Sequence, residues 1–145
     1  PDNIQIYIVL ARGFWLAHEY EKSNFYALQG ITKTQRSNSI FTLKHASIIQ
    51  SFLLYWHYRY LTEKKEWLKL LRQTEQKSEL PIQSTFKAVA LWNMGQYKSS
   101  KEWAEKTLIN LKKTELKMPL FIVPFLFDLK PTLQSILETR ILGQD

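Results

Sequence analysis

The chain has no cysteine, so disulfides, thiolate zinc sites and a cysteine nucleophile are excluded together. It has only four glycines and five prolines in 145 residues, too few for a strand-and-turn architecture and suited to long helices. Gly13, Gly30, Gly95 and Gly143 are isolated from one another, so there is no glycine-rich phosphate loop. Long apolar runs are missing as well. The longest, "LFIVPFLF" from Leu120 to Phe127, is far short of the roughly 20 residues of a membrane span and is interrupted by Pro124. No asparagine stands in an Asn-x-Ser/Thr pattern. These absences fit a reducing, cytoplasmic setting and no membrane partner.

What is present is helical patterning. Apolar residues recur at three and four, and the spacing predicts helices at about 3 to 19, 22 to 35, 40 to 60, 62 to 77, 82 to 94 and 98 to 114, with one or two more between 119 and 142. Breaks are expected at Ser37 to Ser39, before Ile82 in "SELP", at Gly95 and at Met118-Pro119. Pro119 and Pro131 suit first turns of helices, and Pro124 would kink or end a helix begun at 119. The opening "PDNIQIYIVL" is apolar and helical almost at once, with no methionine and no basic region before it, which reads as a piece of a larger protein and not as a signal peptide.

The helices repeat in pairs. A shift of 77 residues lays Ala11, Phe14, Trp15, Tyr20, Ser23, Tyr26, Ala27 and Ile31 over Ala88, Leu91, Trp92, Tyr97, Ser100, Trp103, Ala104 and Leu108. A shift of 36 lays Phe52, Tyr55, Trp56, Leu61, Trp67 and Leu68 over Ala88, Leu91, Trp92, Tyr97, Trp103 and Ala104. The chain is therefore expected to be a single helical-repeat domain over 1–145, with units at about 3–36, 40–77 and 82–115 and a capping or fourth helix pair at 119–142. One pair cannot bury its apolar face alone, so units stack, and small residues such as Ala11, Ala27, Ala88 and Ala104 let neighbours approach.

"MGQYKSSKEWAEKTL" from Met94 to Leu108 and "HEYEKSNFYALQGI" from His18 to Ile31 resemble the turn and second helix of tetratricopeptide repeats. The middle unit departs, with Lys64 and Leu68 in place of small residues, and Ala11, Phe52 and Ala88 stand where glycine is usual. The resemblance covers roughly residues 4 to 115. It implies an all-α fold, a right-handed superhelical stack of antiparallel helix pairs (an α-solenoid) with about seven or eight helices.

Chemistry has little to stand on in the sequence. His18, His45 and His57 lack the spacing of a helical zinc site, so no metal and no cofactor are expected. Glu63, Glu66, Glu102 and Glu105 sit among lysines, as on solvated helix faces, without the apolar setting a catalytic acid needs. No catalytic residues are expected, and the chain reads as no enzyme. The net charge of +7 suits an acidic partner, but the basic residues of "EKKEWLKLLRQTEQK" and "YKSSKEWAEKTLINLKK" are interleaved with acids and not segregated into a stripe.

The tryptophans remain. Trp15, Trp56 and Trp92 follow core-facing residues of the first helices by one position, a rotation of about 100°. Two readings are open: the rings fill gaps between pairs, or they line a groove. In the family resembled, this side faces the concave groove where peptides lie, which implicates Arg12, Trp15, Leu16, Trp56, His57, Val89, Trp92 and Asn93 as peptide-binding residues. The family's basic clamp for a terminal carboxylate is not matched. Trp103, beside Ala104 on a second helix, is expected to be structural under either reading. The function expected is a protein or peptide interaction module, the regulatory or scaffold part of a protein such as a transcriptional regulator. The alternative is an RNA-binding helical-repeat module using aromatics and positive charge.

Overall fold

The computed structural model describes residues 4–36, 40–75, 81–115 and 129–139. Among these residues there are seven helices and no strand: α1 (Gln5–Leu16), α2 (Tyr20–Arg36), α3 (Ile40–Glu63), α4 (Trp67–Glu75), α5 (Pro81–Asn93), α6 (Tyr97–Glu115) and α7 (Leu129–Glu138). The all-α class is as expected, and most helix ends fall within three residues of the expected ones. Expected breaks at 37–39, 78–80 and 118–119, the kink at Pro124 and any helix begun at 119 lie outside the described residues. The chain falls into two compact units, Pro1–Lys65 with α1 to α3 and Glu66–Asp145 with α4 to α7.

Three of the interhelical turns place a left-handed residue at the same position, two residues before the next helix. α1 ends with His18 in the left-handed region (φ 61°), α3 with Lys65 (φ 57°) and α5 with Gly95 (φ 82°). After α1, His18 N–H donates to Trp15 O and Glu19 N–H to Phe14 O. After α5, Gly95 N–H donates to Trp92 O and Gln96 N–H to Leu91 O. This pair of bonds is a Schellman cap, which satisfies the last helical carbonyls and reverses the chain. The fourth N–H of each following helix then donates to the carbonyl just before the helix, Ser23 to Glu19 O, Leu70 to Glu66 O and Ser100 to Gln96 O.

The shared turn corrects the register of the middle unit. Lys65 matches Gly95 at a shift of 30 and His18 at a shift of 47, where tryptophan matching had given a shift of 36. α3 runs on to Glu63, so Trp67 stands first in its helix, level with Tyr20 and Tyr97 and not with Trp103. Leu70 and Thr74, both fully buried, take the places of Ser23 and Ala27, which the 36-residue shift assigns to Lys64 and Leu68. The cause is local. Nothing between Leu53 and Leu61 breaks the helix, and two of the three left-handed positions carry no glycine to announce them.

Within the first unit, α2 packs on both α1 and α3. Gly30 makes this possible: a Cβ there would lie 2.8 Å from Leu53 Cδ2 on α3 and 2.8 Å from Tyr7 Cβ on α1. Ile4, Ile49 and Leu53 form the adjacent core, with Tyr7, Ile8 and Ile31 at its edge. An exposed ion pair, Lys64 Nζ to Glu21 Oε1 at 2.8 Å, joins the end of α3 to the start of α2. Its hydrogen bond and charge hold Glu21 below the ordinary carboxylate range and Lys64 above the ordinary lysine value.

In the second unit α5 is central, packing on α4, α6 and α7. Its first turns are unusually polar for a buried segment. Gln83, Ser84 and Thr85 are all buried, and Thr107 of α6 donates to Ser84 Oγ at 2.8 Å. Lys101 reaches from α6 to the C-terminal end of α7, where Nζ donates to Leu137 O (2.9 Å) and Thr139 O (2.5 Å). A cation placed there meets both the unpaired carbonyls and the negative end of the helix dipole.

Candidate functional site

Trp15 and Trp92, equivalent by the shared turn, begin from the same geometry. Each ring packs on the aromatic residue that opens the next helix, Trp15 on Tyr20 with centroids 4.4 Å apart and Trp92 on Tyr97 at 4.7 Å. Their outer sides differ. In the first unit α3 brings Trp56 to 6.1 Å from Trp15, and the Arg59 guanidinium lies 4.8 Å from the Trp15 ring and 5.7 Å from that of Trp56. Both tryptophans are thereby almost fully buried. The Arg59 side chain is held further by a 3.3 Å bond from Nη1 to Tyr55 OH.

In the second unit the helix facing Trp92 is α7, and there it presents small side chains. An open cleft of about 440 Å³ results, with Val89, Trp92 and Asn93 of α5 on one wall and Pro131, Thr132, Ser135, Ile136 and Thr139 of α7 on the other. The apolar surface comes from Val89, Trp92, Ile136 and Pro131, and hydroxyls from Thr132, Ser135 and Thr139 line the rim. Asn93 Nδ2 donates to Val89 O at 2.8 Å, which orients its Oδ1 as an acceptor. None of the lining residues is charged. Lys101 is 5.9 Å from the Trp92 ring and directs its amine to the α7 carbonyls.

The eight residues expected from the sequence thus divide three ways. Val89, Trp92 and Asn93 come together in the cleft. Trp15, Trp56 and His57 are buried in the first unit, with His57 Nδ1–H donating to Asn24 Oδ1 at 2.6 Å. Arg12 and Leu16 are exposed on α1. The α7 wall was not singled out from the sequence. Its signal was the spacing of Thr132, Ser135 and Thr139 along one helical face, beside buried Leu133 and Ile136.

Trp103, expected to be structural, lies on α6. The ring is half-buried, with Lys87 Nζ 4.0 Å and Lys106 Nζ 5.2 Å from its centroid. Among the described residues no three His, Asp or Glu side chains gather as metal ligands, and no helix is long and apolar enough to cross a membrane. The side chain of His45 lies outside the described residues. No protein-family model, no curated protein and no solved structure matches the chain at a significant level.

Proposed function

We propose that this chain is a non-enzymatic protein interaction module that holds a short peptide segment in the cleft between α5 and α7. One observation carries the reading: equivalent tryptophans have a filled neighbourhood beside Trp15 and an open one beside Trp92. A half-buried indole over an apolar floor is the kind of surface that anchors an aliphatic or aromatic side chain. The hydroxyls of Thr132 and Ser135 and the Oδ1 of Asn93 suit the polar groups of a peptide main chain. With no charge on either wall, the segment is expected to be uncharged where it enters. This reading keeps the helix pairs as tetratricopeptide-like units in a right-handed stack, and the chain as the regulatory or scaffold part of a cytoplasmic protein. The RNA-binding alternative has less support, because lysines already cover the Trp103 ring that could have stacked a base.

The test is selection of octapeptides from a random display library on the wild-type chain, followed by binding to Ser135→Trp. Ser135 is exposed, so the new indole fills the cleft without entering the core. Selected peptides should lose at least tenfold in affinity. Peptides that bind the variant as well as the wild type would end the proposal.

A further inference from the structure

The shared turns also align the opposite face of the first helices. Ile6, Val9 and Gly13 of α1 correspond to Leu53, Trp56 and Tyr60 of α3 and to Gln83, Phe86 and Ala90 of α5. On α3 this face is closed by the preceding pair, with Leu53 (0% exposed) seated at Gly30 of α2 and Trp56 beside Trp15 of α1. On α5, which packs on the preceding helix α4, Gln83, Phe86 and Ala90 are all buried. On α1 the same face is open: Ile6 is 48% exposed, Val9 67%, and Leu16, one turn beyond Gly13, 64%. Gly13 leaves the middle of the strip flat, with nothing within 4 Å of where its Cβ would be.

We infer that this face of α1 is a docking site for an amphipathic helix of another protein, seated on Ile6, Val9 and Gly13 as α2 sits on α3. The face continues, one unit earlier, an interface this chain already makes twice, and that fixes what fits it. On α2 the residue that meets Leu53 is Gly30, where a Cβ would lie 2.8 Å from Leu53 Cδ2, so the incoming helix needs a residue as small as glycine where it crosses Ile6, the equivalent of Leu53. A second copy of this chain has no spare helix of that kind among the described residues, since α2 carries α3, α4 carries α5 and α6 carries α7. Charge narrows the partner further. Arg12 is the sole charged residue of α1 and is exposed at the edge of the strip, so the helix that pairs with it carries acidic residues beside its small one.

The experiment uses the whole chain and a synthetic 17-residue helical peptide that keeps the buried residues of α2, Gly30 among them, and has glutamate at its outward positions. Binding is expected, to be lost at least tenfold in Ile6→Gln/Val9→Gln and weakened less, with a reduced salt dependence, in Arg12→Glu. The replaced side chains are exposed, so circular dichroism melts should match the wild type and separate lost docking from lost folding. Unchanged peptide affinity in the double variant would overturn the inference. So would a wild-type chain that sediments as a dimer and becomes monomeric in the double variant, since the face would then be covered by a second copy.

Discussion

The hydroxyl of Ser23 donates to the carbonyl of Ala11 at 2.6 Å, and 77 residues later the hydroxyl of Ser100 donates to that of Ala88 at the same distance. All four residues are fully buried. Each bond crosses between the helices of a pair, twelve residues apart in sequence, where only small side chains fit. The two repeats therefore agree at the level of a single hydrogen bond.

Replacing either serine by alanine keeps the packing and removes the bond. Since each carbonyl also belongs to a helix, the loss should be that of one net hydrogen bond, about 0.5 to 1.5 kcal/mol in each case. Denaturant titration of Ser23→Ala and Ser100→Ala should give similar shifts. A large cost at one and none at the other would break their equivalence.

Two glycines predict opposite outcomes for the same substitution. Gly13→Ala adds a methyl group in open space within a helix and should stabilise by up to about 1 kcal/mol. Gly30→Ala gains the same propensity but drives Cβ against Tyr7 Cβ, which belongs to another helix and cannot swing away. Overpacking of that kind typically costs about 1 to 3 kcal/mol, so a net loss is expected. Thermal melts of the two variants check both signs.

These glycines also mark what was legible in the sequence. The all-helical class and the helix limits followed from apolar spacing, and the pairing of α1 and α2 with α5 and α6 followed from the 77-residue shift. Gly95 announced one turn. His18 and Lys65 concealed the other two, because a left-handed cap can be made by a residue that does not signal it. Matching Trp56 to Trp92 then set the middle unit in the wrong register. Of the site, Val89, Trp92 and Asn93 were recognisable, whereas their separation from the buried Trp15 and Trp56 depended on the size of the residues facing them from α7 and α3.

Left-handed strain gives a further prediction. Lys65 adopts φ 57° with an exposed side chain, so Lys65→Gly should relieve a cost of roughly 1 kcal/mol and stabilise the turn. Gly95→Ala should do the reverse. Hydrogen exchange of the amides flanking each turn would report the changes locally.

The Glu21 and Lys64 ion pair sets a pH dependence whose sign can be stated. Glu21 is held below its ordinary value, so its contribution is present above about pH 4.5 and is lost as pH falls through the lowered value. Lys64 is held above its ordinary value, so its contribution is present below about pH 10.5 and is lost as pH rises through the raised value. Both side chains are exposed, so salt should weaken the effect. A carboxylate NMR titration should place Glu21 low in the wild type and return it to the ordinary range in Lys64→Ala.

The three tryptophans give the sharpest separation. Trp15 and Trp56 are each only 8% exposed and pack on one another, so truncation to alanine leaves an enclosed void in a three-helix unit. Each should cost about 3 to 5 kcal/mol, a large share of the stability of so small a unit. Trp92 has one side in the cleft, so less contact is lost and the neighbourhood is already open. Trp92→Ala should cost about half as much while abolishing capture of peptides selected on the wild type. Trp103 serves as a comparison with a half-buried ring outside the cleft, since Trp103→Ala should lower stability by a similar amount and leave peptide capture intact. A Trp92→Ala melt as damaged as that of Trp15→Ala would place its ring in the core and remove the cleft from the binding surface.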